Sequence, residues 1–183
     1  MTKYSANIMV AHQFAVEAHS GQTRDFSGEP YVRHPERVAK ILKDAAFDEH
    51  VIIAALLHDT VEDTEVTSEE IHKKFGSEVG ILVDALTEPA KARGEYHSTP
   101  KVQRKAEFLR QLEDAPHLAK CIKLADITDN TRDFCTYFDK NTVRAENFYF
   151  AKRDMLTRLY DSDADLYAMA AEQLEKLKEL LIN

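Results

Sequence analysis

Seven consecutive apolar residues, Val51 to Leu57 (VIIAALL), run straight into His58-Asp59. A helix made from that run is apolar on every face and has no side to offer water. It must therefore lie at the centre of a fold, with other helices packed around it. The flanking sequence supplies candidates. Ile8, Ala11, Ala15 and Ala18 recur at helical spacing and predict a helix ending near His19, with Gly21 just beyond. Pro35 suits the first turn of a second helix, with Val38, Ile41, Leu42 and Ala45 on one face. Thr67-Ser68-Glu69-Glu70 has the capping-box pattern that opens another helix, which Gly76 ends. Val79, Leu82, Val83 and Leu86 mark the next.

Helical patterns resume over 101–112, from 118 to about 126, and over 142–160. The last predicted helix, 165–181, carries Leu166, Ala170, Leu174, Leu177 and Leu181 on one stripe, and its expected role is packing. Residues 20–33 read as a loop. The longest polar stretch, 88–100, reads as a mobile loop. Glycine and proline number only 5 each in 183 residues, too few for a many-turned β-sandwich. The expectation is a single all-α domain over 1–183, with its motif-bearing core at about 5–160 and little or no strand.

Composition also excludes partners. No apolar run approaches the roughly 18 residues of a membrane span. The N-terminal segment has no apolar stretch of the secretory kind, so the expected location is cytoplasmic, without a membrane partner. Cys121 and Cys135 are not spaced as a metal-binding pair and are expected to be free thiols. A net charge of −8 argues against a nucleic-acid partner. It is compatible with a small phosphorylated ligand, because a bound divalent cation and a few arginines reverse the field inside one cleft. Oligomeric state stays open, with a homodimer as one arrangement.

Four places interrupt the apolar pattern with polar groups: His34, His58-Asp59, Glu62-Asp63 and Asp126. Burying unpaired imidazoles and carboxylates where apolar helices converge is costly unless a cation neutralises them. Two imidazoles and two carboxylates make a mixed nitrogen and oxygen ligand set that leaves room for water on a divalent ion. An open position on such an ion acidifies water near neutral pH. Glu62 and Asp63 follow His58 and Asp59 at i+4, on the same face if the helix continues, where they could orient or deprotonate an attacking water. Each signal has an ordinary alternative. Asp126 could cap a helix or pair with Lys123, Glu62-Asp63 could be a solvated acidic turn, and His34 could simply precede the helix start.

The order His34, His58-Asp59, Asp126 resembles the HD-domain metal-dependent phosphohydrolases. AHSGQTRDFSGEPYVRHPERVAKIL, AALLHDTVEDT and KLADITDNTRD are similar to the hydrolase domain of RelA/SpoT-type alarmone enzymes, and the chain resembles a free-standing small alarmone hydrolase. The resemblance implies one Mn²⁺ held by His34, His58, Asp59 and Asp126, with Glu62 and Asp63 activating water. It implies removal of the 3′-pyrophosphate from guanosine tetra- or pentaphosphate, giving GDP or GTP. It further implies that Arg24 lies against the nucleobase, that Asn130 and Arg132 sit near the nucleotide, and that Arg144 binds phosphate. An exposed ion pair is the alternative for each of the three arginines.

Asp25, Asp129 and Asp133 depart from the residues usual at their positions. Adenosine 3′-pyrophosphates, or another nucleotide phosphorylated at the 3′ or 2′ position, therefore remain alternative substrates. An inactive alarmone-binding module is the alternative of another class. Selectivity for one base must come from hydrogen bonds to its edge, for which Asp25 and Asp129 are the candidate acceptors.

Overall fold

The computed structural model describes residues 5–137 and 142–182. Among them every regular element is a helix. The only strand-like feature among the described residues is one antiparallel bridge between Thr23 and Pro30, which closes the 20–33 loop. No helix among the described residues is long and apolar enough to cross a membrane.

The VIIAALL run forms most of α3 (Glu49–Leu57), and all seven of its residues are buried. Around α3 pack α1 (Ala6–Ala18), α2 (Arg33–Asp44), α6 (Ser77–Leu86) and α9 (His117–Thr136). Burying each Leu or Ile side chain contributes about 1.5–3 kcal/mol, so this one helix anchors much of the core. Leu57 is fully enclosed, and truncating it to alanine would cost about 2–5 kcal/mol.

Local signals set several boundaries. Ser5 accepts from the Ile8 N–H and caps α1. α4 (Thr60–Asp63) is a single short turn, and α5 (Ser68–Phe75) follows it. The Thr67 side chain and Glu70 complete a reciprocal capping box at the start of α5. Gly76, with φ of 90°, takes the backbone turn from α5 into α6 that a residue with a Cβ adopts only under strain.

Three expectations need correction. The 88–100 segment contains a short helix, α7 (Pro89–Ala92), and then wraps around Tyr96. Arg104 of α8 (Lys101–Asp114) holds that wrap by donating to the Tyr96 and Thr99 carbonyls, with its guanidinium 3.8 Å from the Tyr96 ring centroid. Secondly, α9 does not end near Asp126 but runs ten residues further, to Thr136. Asp126, Asp129 and Asp133 break its apolar pattern, yet all three are buried, with partners supplied by neighbouring elements and, for Asp126, also by Lys123 of α9 itself. Thirdly, α10 (Thr142–Leu156) stops short of Tyr160, and a turn from Leu156 leads on to buried Leu159. The C-terminal α11 (Ala164–Ile182) packs on α9 and α10 through Leu166, Ala170, Leu174 and Leu177, as its stripe predicts.

Candidate active site

Three helix segments bring the predicted polar groups together. His34 lies in the first turn of α2, where the preceding loop folds back through the Tyr31 N–H to Gln22 carbonyl bond. His58 and Asp59 occupy the break between α3 and α4, so the regular helix does not continue through Glu62 as the i+4 reading supposed. The Asp63 N–H still bonds the Asp59 carbonyl at 2.9 Å, so one turn of helical geometry survives across the break. Asp126 comes from the middle of α9.

One ligand atom from each of His34, His58 and Asp126 lies within 4.8 Å of the other two, and all three residues are buried. His34 Nε2 is 3.1 Å from Asp126 Oδ1 and 3.5 Å from Asp59 Oδ2. His58 Nε2 is 3.2 Å from Asp59 Oδ1 and 4.0 Å from Asp126 Oδ1. His58 Nδ1 stands 2.7 Å from the Ala55 carbonyl, which can only accept, so Nδ1 carries the proton. Its Nε2 is buried and has no hydrogen-bond partner.

In the neutral ring that leaves a lone pair facing carboxylates, an arrangement of acceptors only. A cation resolves it, and the donor set fits a divalent ion. Without a metal ion, a proton takes that place. Burial alone would depress the His58 imidazole, but Asp59 and then Asp126 push it up to about 9. Against the upward push of burial, His58 and then His34 hold the Asp59 carboxyl well below its usual range. Asp126 is held low in the same way by Lys123 and Lys152.

Glu62 and Asp63 border this cluster on α4. The Glu88 backbone N–H donates to Glu62 Oε2 at 3.1 Å, and Lys91 donates to the Glu62 carbonyl. Burial pushes the Glu62 carboxyl up to about 7, against the pull of Lys123 and helped by Asp59 and Asp63. Burial also raises Asp63, with Asp59 adding to the effect. Glu62 is therefore not a solvated acidic turn, whereas the Asp63 side chain is 39% exposed and keeps a face to water.

A cavity of about 580 Å³ opens beside Asp63, lined by Arg24, Asp25, Tyr31 and Asn130 among others. Arg24 is buried, not an exposed loop residue. Its Nε donates to Asp133 Oδ2 at 3.1 Å and its Nη2 to Asn130 Oδ1 at 2.8 Å, which fixes the guanidinium plane. Asn130 in turn donates to Asp126, joining the cavity to the His/Asp cluster. Arg144 is half-exposed, pairs with Asp25 at 3.4 Å and lies over the Phe26 ring. Arg132 is not brought into this group. It is exposed and faces a different cavity, shared with Glu29, Arg37 and Lys40.

Asp129, expected as an acceptor for a base, is already committed. It accepts from His34 Nδ1 and from Arg37 Nε, both at 2.7 Å, and is buried behind the cluster. Of the two candidate acceptors only Asp25 borders the cavity.

The sequence reading missed two site residues, Tyr31 and Lys152, and offered Lys123 only as an ordinary partner of Asp126. Tyr31 donates from its hydroxyl to Asp59 Oδ2 at 2.8 Å, with Asp63 Oδ2 at 3.1 Å. Lys123 Nζ lies 2.8 Å from Asp126 Oδ2, as the i+3 spacing allowed, and coexists with the cluster instead of replacing it. Lys152 of α10 stands 4.0 Å from the same oxygen, and no local sequence signal pointed to it.

Residues 11–148 match the HD domain family. The human guanosine-3′,5′-bis(diphosphate) 3′-pyrophosphohydrolase MESH1 is 40% identical over 157 residues, which cover 81% of this chain and 82% of that protein. The enzyme of the same name from Danio rerio is 35% identical over 183 residues, covering 97% and 94%. A solved structure described as a metazoan ortholog of SpoT that hydrolyzes ppGpp superposes with a TM-score of 0.84 at 32% identity, covering 96% of this chain and 98% of that one.

Proposed function

This chain belongs to the HD domain family, and we propose that it is a metal-dependent hydrolase that removes the 3′-pyrophosphate of guanosine tetra- or pentaphosphate. The observation that carries this reading is the buried His34/His58/Asp126 cluster bordered by Glu62 and Asp63, beside a cavity held open by Arg24 and Asn130. The kinship with named 3′-pyrophosphohydrolases over most of the chain supports the substrate class.

In the proposed site His34, His58, Asp59 and Asp126 hold one Mn²⁺, a choice supported by two imidazole ligands, which suit a transition ion better than Mg²⁺. When bound, the ion supplies positive charge against pyrophosphate oxygens and acidifies water. Glu62, with a carboxyl near neutrality, accepts the proton of the attacking water, and Asp63 orients that water. Water adds across the bond between the ribose O3′ and phosphorus, so the nucleotide regains its 3′-hydroxyl and pyrophosphate leaves. Lys123 and Lys152, beside Asp126, bring positive charge into the site that would oppose the charge of a departing pyrophosphate.

Arg24 offers a fixed plane for a nucleobase, and Asn130 a contact to the nucleoside. Arg144, beside Asp25 at the rim, is the proposed phosphate contact, whereas the position of Arg132 gives it no direct one. The unpaired Cys121 and Cys135 support a cytoplasmic setting. The fold is proposed to act as one hydrolase domain.

The deciding experiment incubates Mn²⁺-loaded protein with guanosine and adenosine 3′-pyrophosphates and separates the products by chromatography. GDP or GTP with pyrophosphate is the expected result. Hydrolysis of the adenosine compounds alone would overturn the base and leave the chemistry standing. Binding of either compound without turnover would make the chain an alarmone-binding module instead.

A further inference from the structure

The two imidazoles of the cluster are not supported alike. His58 gives its Nδ1 proton to a neutral acceptor, the Ala55 carbonyl, at 2.7 Å. His34 gives its own to a charged one, Asp129 Oδ2, also at 2.7 Å. Both His34 and Asp129 are buried. The second oxygen of Asp129 accepts from Arg37 Nε at 2.7 Å, and Arg37 Nη1 is held in turn by Glu29 at 2.6 Å. The carboxylate is thus gripped from both sides and cannot rotate away, and the guanidinium balances its charge inside the fold.

We propose that Asp129 is a positioning residue that makes His34 the stronger of the two imidazole donors for a divalent cation. It keeps the proton on Nδ1, aims Nε2 at the space shared with Asp59 and Asp126, and raises the electron density available at Nε2. This rests on the reading of His34, His58, Asp59 and Asp126 as a cation site. A carboxylate behind a ligating histidine fixes tautomer and ring orientation and raises ligand basicity, and losing such a partner typically weakens metal binding about 10–100-fold. Asp129 does not line the nucleotide cavity, and both of its oxygens already accept from His34 and Arg37.

Mn²⁺ affinity is measured by the electron paramagnetic resonance signal of the free ion, for the unmodified protein, Asp129→Asn and Asp129→Ala. Asparagine keeps the shape and one acceptor oxygen, but removes the charge and puts an NH2 donor where the second oxygen accepts from His34 or Arg37. Unmodified protein should bind one ion, and both variants should bind it about 10–100-fold more weakly while still saturating at higher Mn²⁺. Equal affinity in all three would overturn the proposal. No Mn²⁺ binding by the unmodified protein would instead remove the cation site itself, and the proposal with it.

A second measurement does not depend on the variants folding. In the unmodified protein loaded with diamagnetic Zn²⁺, nitrogen and proton NMR of the imidazoles should show both rings bound through Nε2. The Nδ1 proton of His34 should lie further downfield than that of His58. Equal shifts, or His34 bound through Nδ1, would overturn the role of Asp129.

Discussion

The Tyr31 hydroxyl donates to Asp59 Oδ2 across 2.8 Å, and its oxygen is also 3.1 Å from Asp63 Oδ2. One phenol from the loop before α2 thus spans a proposed metal ligand and a proposed water-orienting carboxylate. Burial, and then Asp59 and Asp63, push its pKa up, so it remains a donor at any working pH. A hydrogen bond to a charged group contributes about 1.5–3 kcal/mol. Tyr31→Phe should therefore lower kcat by about 10–100-fold while Mn²⁺ stays bound. An unchanged kcat would show that the bond positions nothing used in turnover.

Removing the cation should abolish activity. Chelation is expected to stop turnover, and Mn²⁺ should restore it better than Mg²⁺ because two of the four donors are imidazoles. Asp126→Ala should lose both metal and activity. It should also unfold more readily, since it strips Lys123 and Lys152 of their shared carboxylate. Removing one partner from a buried ion pair costs about 3–5 kcal/mol, readable in a denaturant titration. Full activity in Asp126→Ala, or in the presence of chelator, would refute the metal site.

Glu62→Gln separates catalysis from stability. General-base help is typically worth about 10²–10⁴-fold, so turnover should fall by that factor with metal content unchanged. Loss of metal along with rate would make Glu62 a ligand instead. In the metal-free protein its carboxyl is raised from 4.5 to about 7, so the folded state keeps a proton that the unfolded state has already released. The stability this group contributes is present below pH 4.5 and is lost as pH rises towards 7. Glutamine cannot ionise. Metal-free Glu62→Gln should match the unmodified protein in acid and exceed it at pH 8, by at most about 3 kcal/mol. Thermal melts at both pH values decide this.

Arg24→Lys tests base recognition. Lysine keeps a charge for Asp133 but loses the plane and the second bond to Asn130. The expected outcome is a raised KM with kcat less affected, since stacking acts in the ground state as well as in the transition state. Unchanged kinetics would mean that Arg24 only braces α9.

The helices were legible where burial is one-sided or complete. VIIAALL can be nothing but central, and Thr67 to Glu70 caps itself through bonds that span only three residues. Boundaries failed where polar residues are buried. α9 reads as ending at Asp126 because periodicity sees only local sequence, whereas much of what lets Asp126, Asp129 and Asp133 stay buried comes from other elements: His34 of α2 beside Asp126 and Asp129, Lys152 of α10 beside Asp126, and Arg24 of the 20–33 loop on Asp133. Tyr96 and Arg104 likewise organise the 88–100 segment through a ring contact that no spacing rule anticipates.

The set His34, His58, Asp59 and Asp126 could be chosen from sequence because each interrupts an apolar helix, and desolvation makes that expensive without a shared purpose. Roles within the set could not be chosen that way. Asp129 and Asp25 are the same residue type and were equal candidates for a base edge. Only folding put one against His34 and Arg37 and left the other, with its side chain 83% exposed, at the cavity rim. Lys152, 26 residues beyond Asp126, approaches it because α10 crosses the end of the site. Residue chemistry, burial pattern and short-range capping are written along the chain. A pair's geometry depends on how separate helices cross, and that decides which carboxylate positions a histidine, which one takes a proton and which one meets a ligand.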